Sequence, residues 1–215
     1  MQRRDFVIST LVSAPGLSLP VGVAAQKKAV VPDLAALAEN RSLNISLLNE
    51  GARKGIRLTN GVAYLPGVEF GNGTIELELR GKDVQQQSFL GVAFHGVDDK
   101  TMDLIYFRPF NFKTDDSARR LRAVQYVSHP TYTWQKLRTE QPGKFEQPVN
   151  PVPDPNDWFR ARVVIAHLQV SIFVNDAKEP CLVVTQLSDR KKGLVGLWNG
   201  SAAGGDFANL KIIPA

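Results

Sequence analysis

Short runs of alternating apolar and polar residues recur from Leu43 to the end of the chain, and clusters of glycine and asparagine separate them. A period of two with frequent turn residues is typical of a β-sandwich or a β-barrel. The clearest run is "GNGTIELELRG", in which isoleucine and leucine alternate with Glu76, Glu78 and Arg80. One face of this strand is therefore predicted to be buried, and the other to meet water or a ligand.

Two further strands are predicted in "SFLGVAFHG" and "DLIYFRPF". The second places Tyr106 and Arg108 on one face, and Pro109 is expected to mark an edge, a bulge or the end of the strand. Later strands are predicted in "FRARVVIA", "QVSIFVN", "CLVVTQL", "LVGLWNG" and "FANLKII". The pattern as a whole predicts an all-β domain.

The first residues follow a different pattern. Residues 1–25 have a basic head, a moderately apolar middle and a small residue at Ala25, an order that predicts an export signal cleaved after Ala25. Arg3 and Arg4, with Phe6 close behind, are similar to a twin-arginine signal. An ordinary secretory signal and an uncleaved anchor are the alternatives. We therefore expect a periplasmic or extracellular protein.

The remainder divides into a lead segment and one domain. Residues 26–42 contain one short helical pattern, "PDLAALAEN", with Asn40 as a plausible helix stop. Residues 43–215 form the predicted β-domain, and a chain of 215 residues that is 43% hydrophobic can bury one sizeable core. No segment of the mature chain approaches the length of a membrane span.

Charge and cysteine content narrow the function classes. A formal net charge of +5 is too mild and too dispersed to favour nucleic-acid binding. Cys181 is the only cysteine, so no internal disulfide can form, and burial in a strand is its expected role. The pattern carries no signal for an oligomeric state.

One long irregular stretch, residues 129–158, holds six of the thirteen prolines. Long loops in compact domains are usually functional or disordered, and the aromatic residues within this one favour a packed loop. The loop follows the predicted strand in "AVQYVSHP" and carries Trp134. A strand that runs into an aromatic loop is one way to build the wall of a binding groove.

A candidate sugar site combines these features. Sugar sites pair flat aromatic rings with planar hydrogen-bonding groups. The candidate substrate-binding residues are Tyr106, Arg108, Gln125, His129, Trp134 and Trp198. For each residue alone, a place in the core or in a surface ion pair is the simpler interpretation. Their number on faces that alternate with an apolar set favours the site.

Three carboxylates are weak catalytic candidates. Glu76 and Glu78 lie two residues apart on one strand, with Cβ atoms roughly 7 Å apart. Paired carboxylates can cleave glycosides, although a solvated strand face is the favoured interpretation of this pair. Glu146 lies in the aromatic loop, where partial burial would raise its pKa, and the sequence identifies no partner for it.

No metal or cofactor is expected. His95, His129 and His167 show no ligand spacing. A structural calcium at Asp206, or at the acids of residues 98–103, would lack a calcium-loop motif, and ordinary turn acids are the better interpretation. No glycine-rich phosphate loop joins a strand to a helix.

The segments "FGNGTIELELRG", "YFRPFNF", "AVQYVSHP" and "PGKFEQPVNPVPDPNDWFRARV" resemble secreted bacterial proteins of the concanavalin A-like lectin and glucanase superfamily. Within it, the chain looks most similar to laminin-G-like domains and to the 3-keto-disaccharide hydrolase domain. The resemblance covers residues 43 to 213. It implies a two-sheet antiparallel jelly-roll sandwich that holds a glycan on its concave sheet or rim loops.

On that resemblance Arg108, Gln125 and His129 would line the concave face, with Trp134 and Glu146 on a rim loop. The chain lacks the Glu-x-Asp-x-x-Glu run of β-glucanases, so retaining hydrolysis of that type is not expected. Three functions stay open: a carbohydrate-binding protein, a glycoside hydrolase acting on 3-keto-disaccharides or oligosaccharides, and a non-catalytic interaction module of the envelope.

Overall fold

Two antiparallel β-sheets pack against each other in the computed structural model, which describes residues 28–39 and 44–215. The export signal predicted at residues 1–25 lies outside the described residues. The strands are β1 (Ile45–Glu50), β2 (Arg53–Leu58), β3 (Gly61–Phe70), β4 (Gly73–Arg80), β5 (Leu90–Gly96), β6 (Met102–Phe107), β7 (Val124–His129), β8 (Glu146–Gln147), β9 (Phe159–Ala166), β10 (Gln169–Val174), β11 (Leu182–Thr185), β12 (Gly193–Asn199) and β13 (Gly205–Pro214).

Seven strands form one sheet, which we call the back sheet, in the order β1-β2-β13-β4-β9-β10-β11. Six strands form the front sheet, in the order β3-β12-β5-β6-β7-β8. Every strand pair within them is antiparallel. The predicted all-β, two-sheet antiparallel sandwich is confirmed.

The period of two decides which side chains enter the core. In β4 the apolar residues Ile75, Leu77 and Leu79 are buried, while the glutamates between them are partly exposed. Between the sheets, the rings of Phe107 on β6 and Phe159 on β9 meet edge to face, with centroids 5.1 Å apart. Full burial of a side chain of this size contributes about 1.5–3 kcal/mol to the free energy of unfolding. The apolar side chains packed between the sheets are therefore the main source of stability.

The central strands of the front sheet, β5 and β6, are buried on both faces. Phe107 points into the core, whereas Leu104 and Tyr106 point to the opposite face, yet every residue of β6 is buried. The outer face is covered by helix α1 (Ser117–Arg120), helix α2 (Trp134–Glu140) and the loops that hold them. This cover creates the walls of a cavity above the front sheet.

Part of the long irregular stretch is helical, which the sequence pattern did not predict. The hydroxyl of Thr133 caps α2 by accepting a hydrogen bond from the backbone N–H of Lys136, at 3.4 Å. Leu137 of α2 and Phe145 are buried, as expected of a packed segment. Trp158, at the far end of the stretch, lies instead at the outer face of the back sheet, beneath the guanidinium groups of two arginines.

The described part of the lead segment packs on the sandwich. A 3₁₀ helix (Leu34–Glu39) buries Leu34 and Leu37, the residues that the helical pattern placed on one face. Val30 forms an isolated antiparallel bridge to Ile212 of β13. Asn40, the predicted helix stop, lies outside the described residues. Among the helices of the described residues, none is long and apolar enough to cross a membrane.

Candidate functional site

A cavity of about 720 Å³ opens on the outer face of the front sheet. Its floor comes from β6, β7 and β12, and its walls come from α1, α2 and the turns beside them. The sheet supplies mainly aromatic and aliphatic side chains, and the walls supply guanidinium groups. The cavity therefore combines an apolar base with a polar, cationic rim.

Two aromatic rings form the centre of the floor. Trp198 of β12 and Tyr106 of β6 flank β5, and Gly91 of β5 is the register partner of both. Strands two apart in a sheet are separated by roughly 9–10 Å, yet the ring centroids of Trp198 and Tyr106 are 5.3 Å apart. The rings approach because Gly91 places no side chain between them.

Gly91 is also required by its backbone surroundings. A Cβ at this position would lie 1.9 Å from the carbonyl oxygen of Ile105. Phe89 and Phe110 extend the aromatic floor, with ring centroids 5.3 Å apart in an edge-to-face contact. The floor therefore offers a broad apolar surface held by close packing.

Tyr106, Arg108 and Gln125 form a buried hydrogen-bonded group beside this floor. The Tyr106 hydroxyl donates to Gln125 Oε1 at 2.7 Å and accepts from Arg108 Nη2 at 2.6 Å. Arg108 Nη2 also donates to Gln125 Oε1. Burial raises the pKa of Tyr106 to about 12, so its hydroxyl stays protonated at neutral pH. Burial lowers the pKa of Arg108.

Glu146 of β8 provides the counter-charge for the neighbouring arginines. Its carboxylate side chain is only 6% exposed and accepts two hydrogen bonds from Arg138, at 2.8 and 2.6 Å. Arg108 Nη1 lies 3.6 Å away and Arg122 Nε lies 3.9 Å away. The sequence identified no partner for Glu146, and the structure supplies three. The hydrogen bonds that Arg138 donates to Glu146 raise the pKa of Arg138.

The rim arginines are held in place by aromatic rings. The guanidinium carbon of Arg138 lies 4.8 Å from the ring centroid of Trp134, and that of Arg119 lies 6.0 Å from the ring of Phe110. Arg119 also donates to the backbone carbonyl of Phe110 at 3.0 Å. Cation–π contact and hydrogen bonding restrict these long side chains, so their donors are fixed around the cavity.

His129, the last residue of β7, and Trp134, the first residue of α2, complete the rim. Trp134 is 41% exposed, which leaves part of its ring open to a ligand. His129 lines the cavity, and burial lowers its pKa from the ordinary histidine value. His129 is therefore neutral at pH 7.

Five of the six predicted substrate-binding residues line the cavity, and they are Tyr106, Arg108, His129, Trp134 and Trp198. Gln125 shows no exposed surface and lies behind the wall, where it positions Tyr106 and Arg108. Glu76 and Glu78 lie on the outer face of the back sheet, on the opposite side of the sandwich, where Glu78 pairs with Arg53 at 2.8 Å.

Three arginines of the rim were missed by sequence reasoning. Arg119 and Arg122 lie in "SARRLR" and Arg138 lies in "KLR", on either side of β7. The available signal was the recurrence of arginine at both ends of a strand that carries glutamine and histidine. The alternation of apolar and polar residues assigns side chains to the faces of strands. It gave no information on these three arginines, because none of them lies on a strand.

Two of the acids considered for calcium, Asp206 and Asp103, are held by protein partners. Asp206 is 2% exposed and forms ion pairs with Arg57 and Arg80 at 2.6 and 2.7 Å. Asp103 is fully buried, accepts a hydrogen bond from Tyr126 at 2.6 Å and pairs with Arg190 at 3.1 Å. Within residues 28–39 and 44–215, no group of three or more His, Cys, Asp or Glu is arranged to hold a metal ion.

Solved structures share this architecture. A protein of unknown function with a galectin-like fold from Bacillus subtilis matches with a TM-score of 0.55 and 10% identity, over 87% of this chain and 96% of that one. The carbohydrate-binding module CBM66 from Bacillus subtilis matches with a TM-score of 0.51 and 16% identity, over 79% of this chain and 92% of that one.

The exoplasmic/lumenal domain of VIP36, in a Ca²⁺/Man3GlcNAc-bound form, matches with a TM-score of 0.52 and 8% identity, over 80% of this chain and 83% of that one. No protein-family model and no curated protein matches the sequence. At sequence identities of 8% to 16%, these matches show a similarity of fold. The two-sheet antiparallel jelly roll that the sequence resemblance implied is the fold of this chain, and it is shared with a galectin-like solved structure.

Proposed function

We propose that this chain is an exported carbohydrate-binding protein that holds a glycan in the cavity on its front sheet. The observation that carries the proposal is the aromatic floor, in which the rings of Tyr106 and Trp198 lie 5.3 Å apart beneath a rim of guanidinium groups. A volume of about 720 Å³ lies within the usual range of ligand pockets.

A sugar ring matches both parts of this cavity. Its C–H face is apolar and can lie against the rings of Trp198 and Tyr106. Contact with these rings buries apolar surface of the sugar and so provides affinity. Its hydroxyl groups project sideways, toward the donors of Arg108 and Arg138. Because these side chains are already fixed by Gln125 and Glu146, little conformational entropy is lost when a ligand binds.

The fold neighbours support this proposal. One solved neighbour is a carbohydrate-binding module, and another is a lumenal domain in a form bound to Man3GlcNAc. One fold can host many functions, so the weight of the proposal rests on the cavity.

Glycoside hydrolysis on 3-keto-disaccharides or oligosaccharides is the second function to test. The two-carboxylate mechanism requires a pair of acids on either side of the scissile bond. Glu76 and Glu78 lie on the opposite outer face from the cavity, and Glu146 is engaged by Arg138 behind the cavity wall. This placement favours binding without cleavage.

The test is to incubate the purified full-length chain with a panel of plant and microbial oligosaccharides and their 3-keto forms. Binding is measured by calorimetry, and products are measured by chromatography in the same samples. Binding without products supports the proposal. Cleavage of any member would show an enzyme instead, and absence of both signals across the panel would favour an interaction module of the envelope.

A further inference from the structure

We propose that the glycan held by this cavity is anionic, with sugars that carry carboxylate or sulfate groups. The inference rests on the carbohydrate binding proposed above and names the ligand class of the same site.

Charge is distributed unevenly around the cavity. Its lining contains Arg108, Arg119, Arg122 and Arg138, and among the described residues no aspartate or glutamate lines it. The nearest carboxylate, Glu146, lies behind the wall and contacts three of the four arginines. Four positive charges and one negative charge leave this cluster with a net charge of +3.

Two of the arginines have guanidinium donors that make no hydrogen bond within the described residues. Arg119 makes its described hydrogen bonds to neutral acceptors only, Asn111 Oδ1 at 3.2 Å and the Phe110 carbonyl at 3.0 Å, and no carboxylate of the described residues lies within ion-pair distance of it. The side chain of Arg122 is 40% exposed. Its one ion-pair contact within the described residues is a long one, 3.9 Å from Nε to the carboxylate of Glu146. These groups are placed to pair with a negative charge that the described residues do not supply.

The chemistry of guanidinium selects the charge of the ligand. Its planar fork matches carboxylate and sulfate oxygens with two parallel hydrogen bonds, and such charge-assisted bonds are about twice as strong as neutral ones. A neutral sugar would leave the excess positive charge of the rim uncompensated. An anionic sugar would neutralise it while its ring lies on Trp198.

The test compares matched ligands that differ only in charge. Uronate oligosaccharides are titrated beside their carboxyl-reduced forms, and sulfated oligosaccharides beside their desulfated forms, at two salt concentrations. We expect the charged member of at least one pair to bind about tenfold more tightly, with an advantage that shrinks at high salt. The pair that shows the advantage identifies the anionic group.

Arg119→Gln supplies the matching variant. It should remove most of the charged ligand's advantage over its neutral partner. Arg120→Gln is the control, because Arg120 is the adjacent residue of α1, carries the same charge and is bonded to the Thr114 carbonyl outside the cavity. It should bind as the wild type does.

The outcomes separate this inference from the proposed function. Equal binding of charged and neutral partners, or an Arg119→Gln variant that keeps the full advantage, would overturn the anionic preference while carbohydrate binding stands. Failure of every charged and neutral ligand to bind would count against carbohydrate binding itself.

Discussion

The rings of Trp198 and Tyr106 lie 5.3 Å apart although strand β5 separates the strands that carry them. The contact exists because their common register partner is Gly91. An aromatic floor is thereby assembled from residues that are distant in sequence, and the close packing of the sheet fixes its geometry before any ligand arrives.

Trp198→Ala is expected to weaken glycan binding about 10- to 100-fold, because it removes a ring on which we propose that the sugar lies. Calorimetric titration of the variant measures the change. Trp158→Ala is the matched control, since this ring lies at the outer face of the back sheet under Arg53 and Arg80. Equal losses in the two variants would contradict the assignment of the site.

Gly91→Ala is expected to reduce the free energy of unfolding by about 1–3 kcal/mol, because the new Cβ meets the Ile105 carbonyl oxygen in the adjacent strand. Gly200→Ala should lower the free energy of unfolding by less than Gly91→Ala does, because its Cβ would lie 2.3 Å from the ring of Trp198, and this side chain can shift. The displaced ring should weaken glycan binding more than Gly91→Ala does. Denaturant unfolding measures both variants. Wild-type stability of Gly91→Ala would show that the close approach is unimportant.

Arg138→Met is expected to destabilise the fold by about 1–3 kcal/mol, because it removes the two hydrogen bonds to the buried carboxylate of Glu146. Combining it with Glu146→Gln should cost less than the sum of the two single changes, by about 1 kcal/mol or more. For comparison, the half-exposed pair of Lys113 and Asp154 should show a coupling of about 0.2–1 kcal/mol. Similar coupling in the two pairs would argue against the role given to Glu146.

Stability is expected to fall as the pH drops below about 6.5, the ordinary pKa of histidine. Burial lowers the pKa of His95 and of His129 in the folded chain, so the unfolded chain takes up protons first. This loss of stability is absent at a pH above the pKa of histidine in the unfolded chain. It is complete at a pH below the lowered pKa of the two histidines in the folded chain. Urea unfolding at pH 7.5, 6.5 and 5.5 measures it, and His95→Gln and His129→Gln should each flatten the pH dependence. An unchanged slope in the double variant would refute this explanation.

Much of the fold could be predicted because strand alternation is a local property. The pattern placed Tyr106 and Arg108 on one face and Ile75 in the core, and the structure has them there. The end of β6 at Phe107 agrees with the expectation for the proline at position 109.

The rim of the site could not be predicted in the same way. Arg119 and Arg138 reach the cavity through α1 and α2, and their position depends on how these helices pack over the front sheet. The three partners of Glu146 likewise come together only in the folded chain. Trp158, grouped with the aromatic loop by its sequence position, belongs to the other side of the sandwich because β9 begins directly after it.

The most direct test is to record the indole N–H signals of the three tryptophans by NMR during titration with an oligosaccharide that the panel has shown to bind. Trp134 and Trp198 line the cavity, and Trp158 lies at the opposite face. The account predicts that the signals of Trp198 and Trp134 shift in proportion to occupancy and that the signal of Trp158 stays in place. Saturating binding that shifts Trp158 alone, or none of the three, would contradict it.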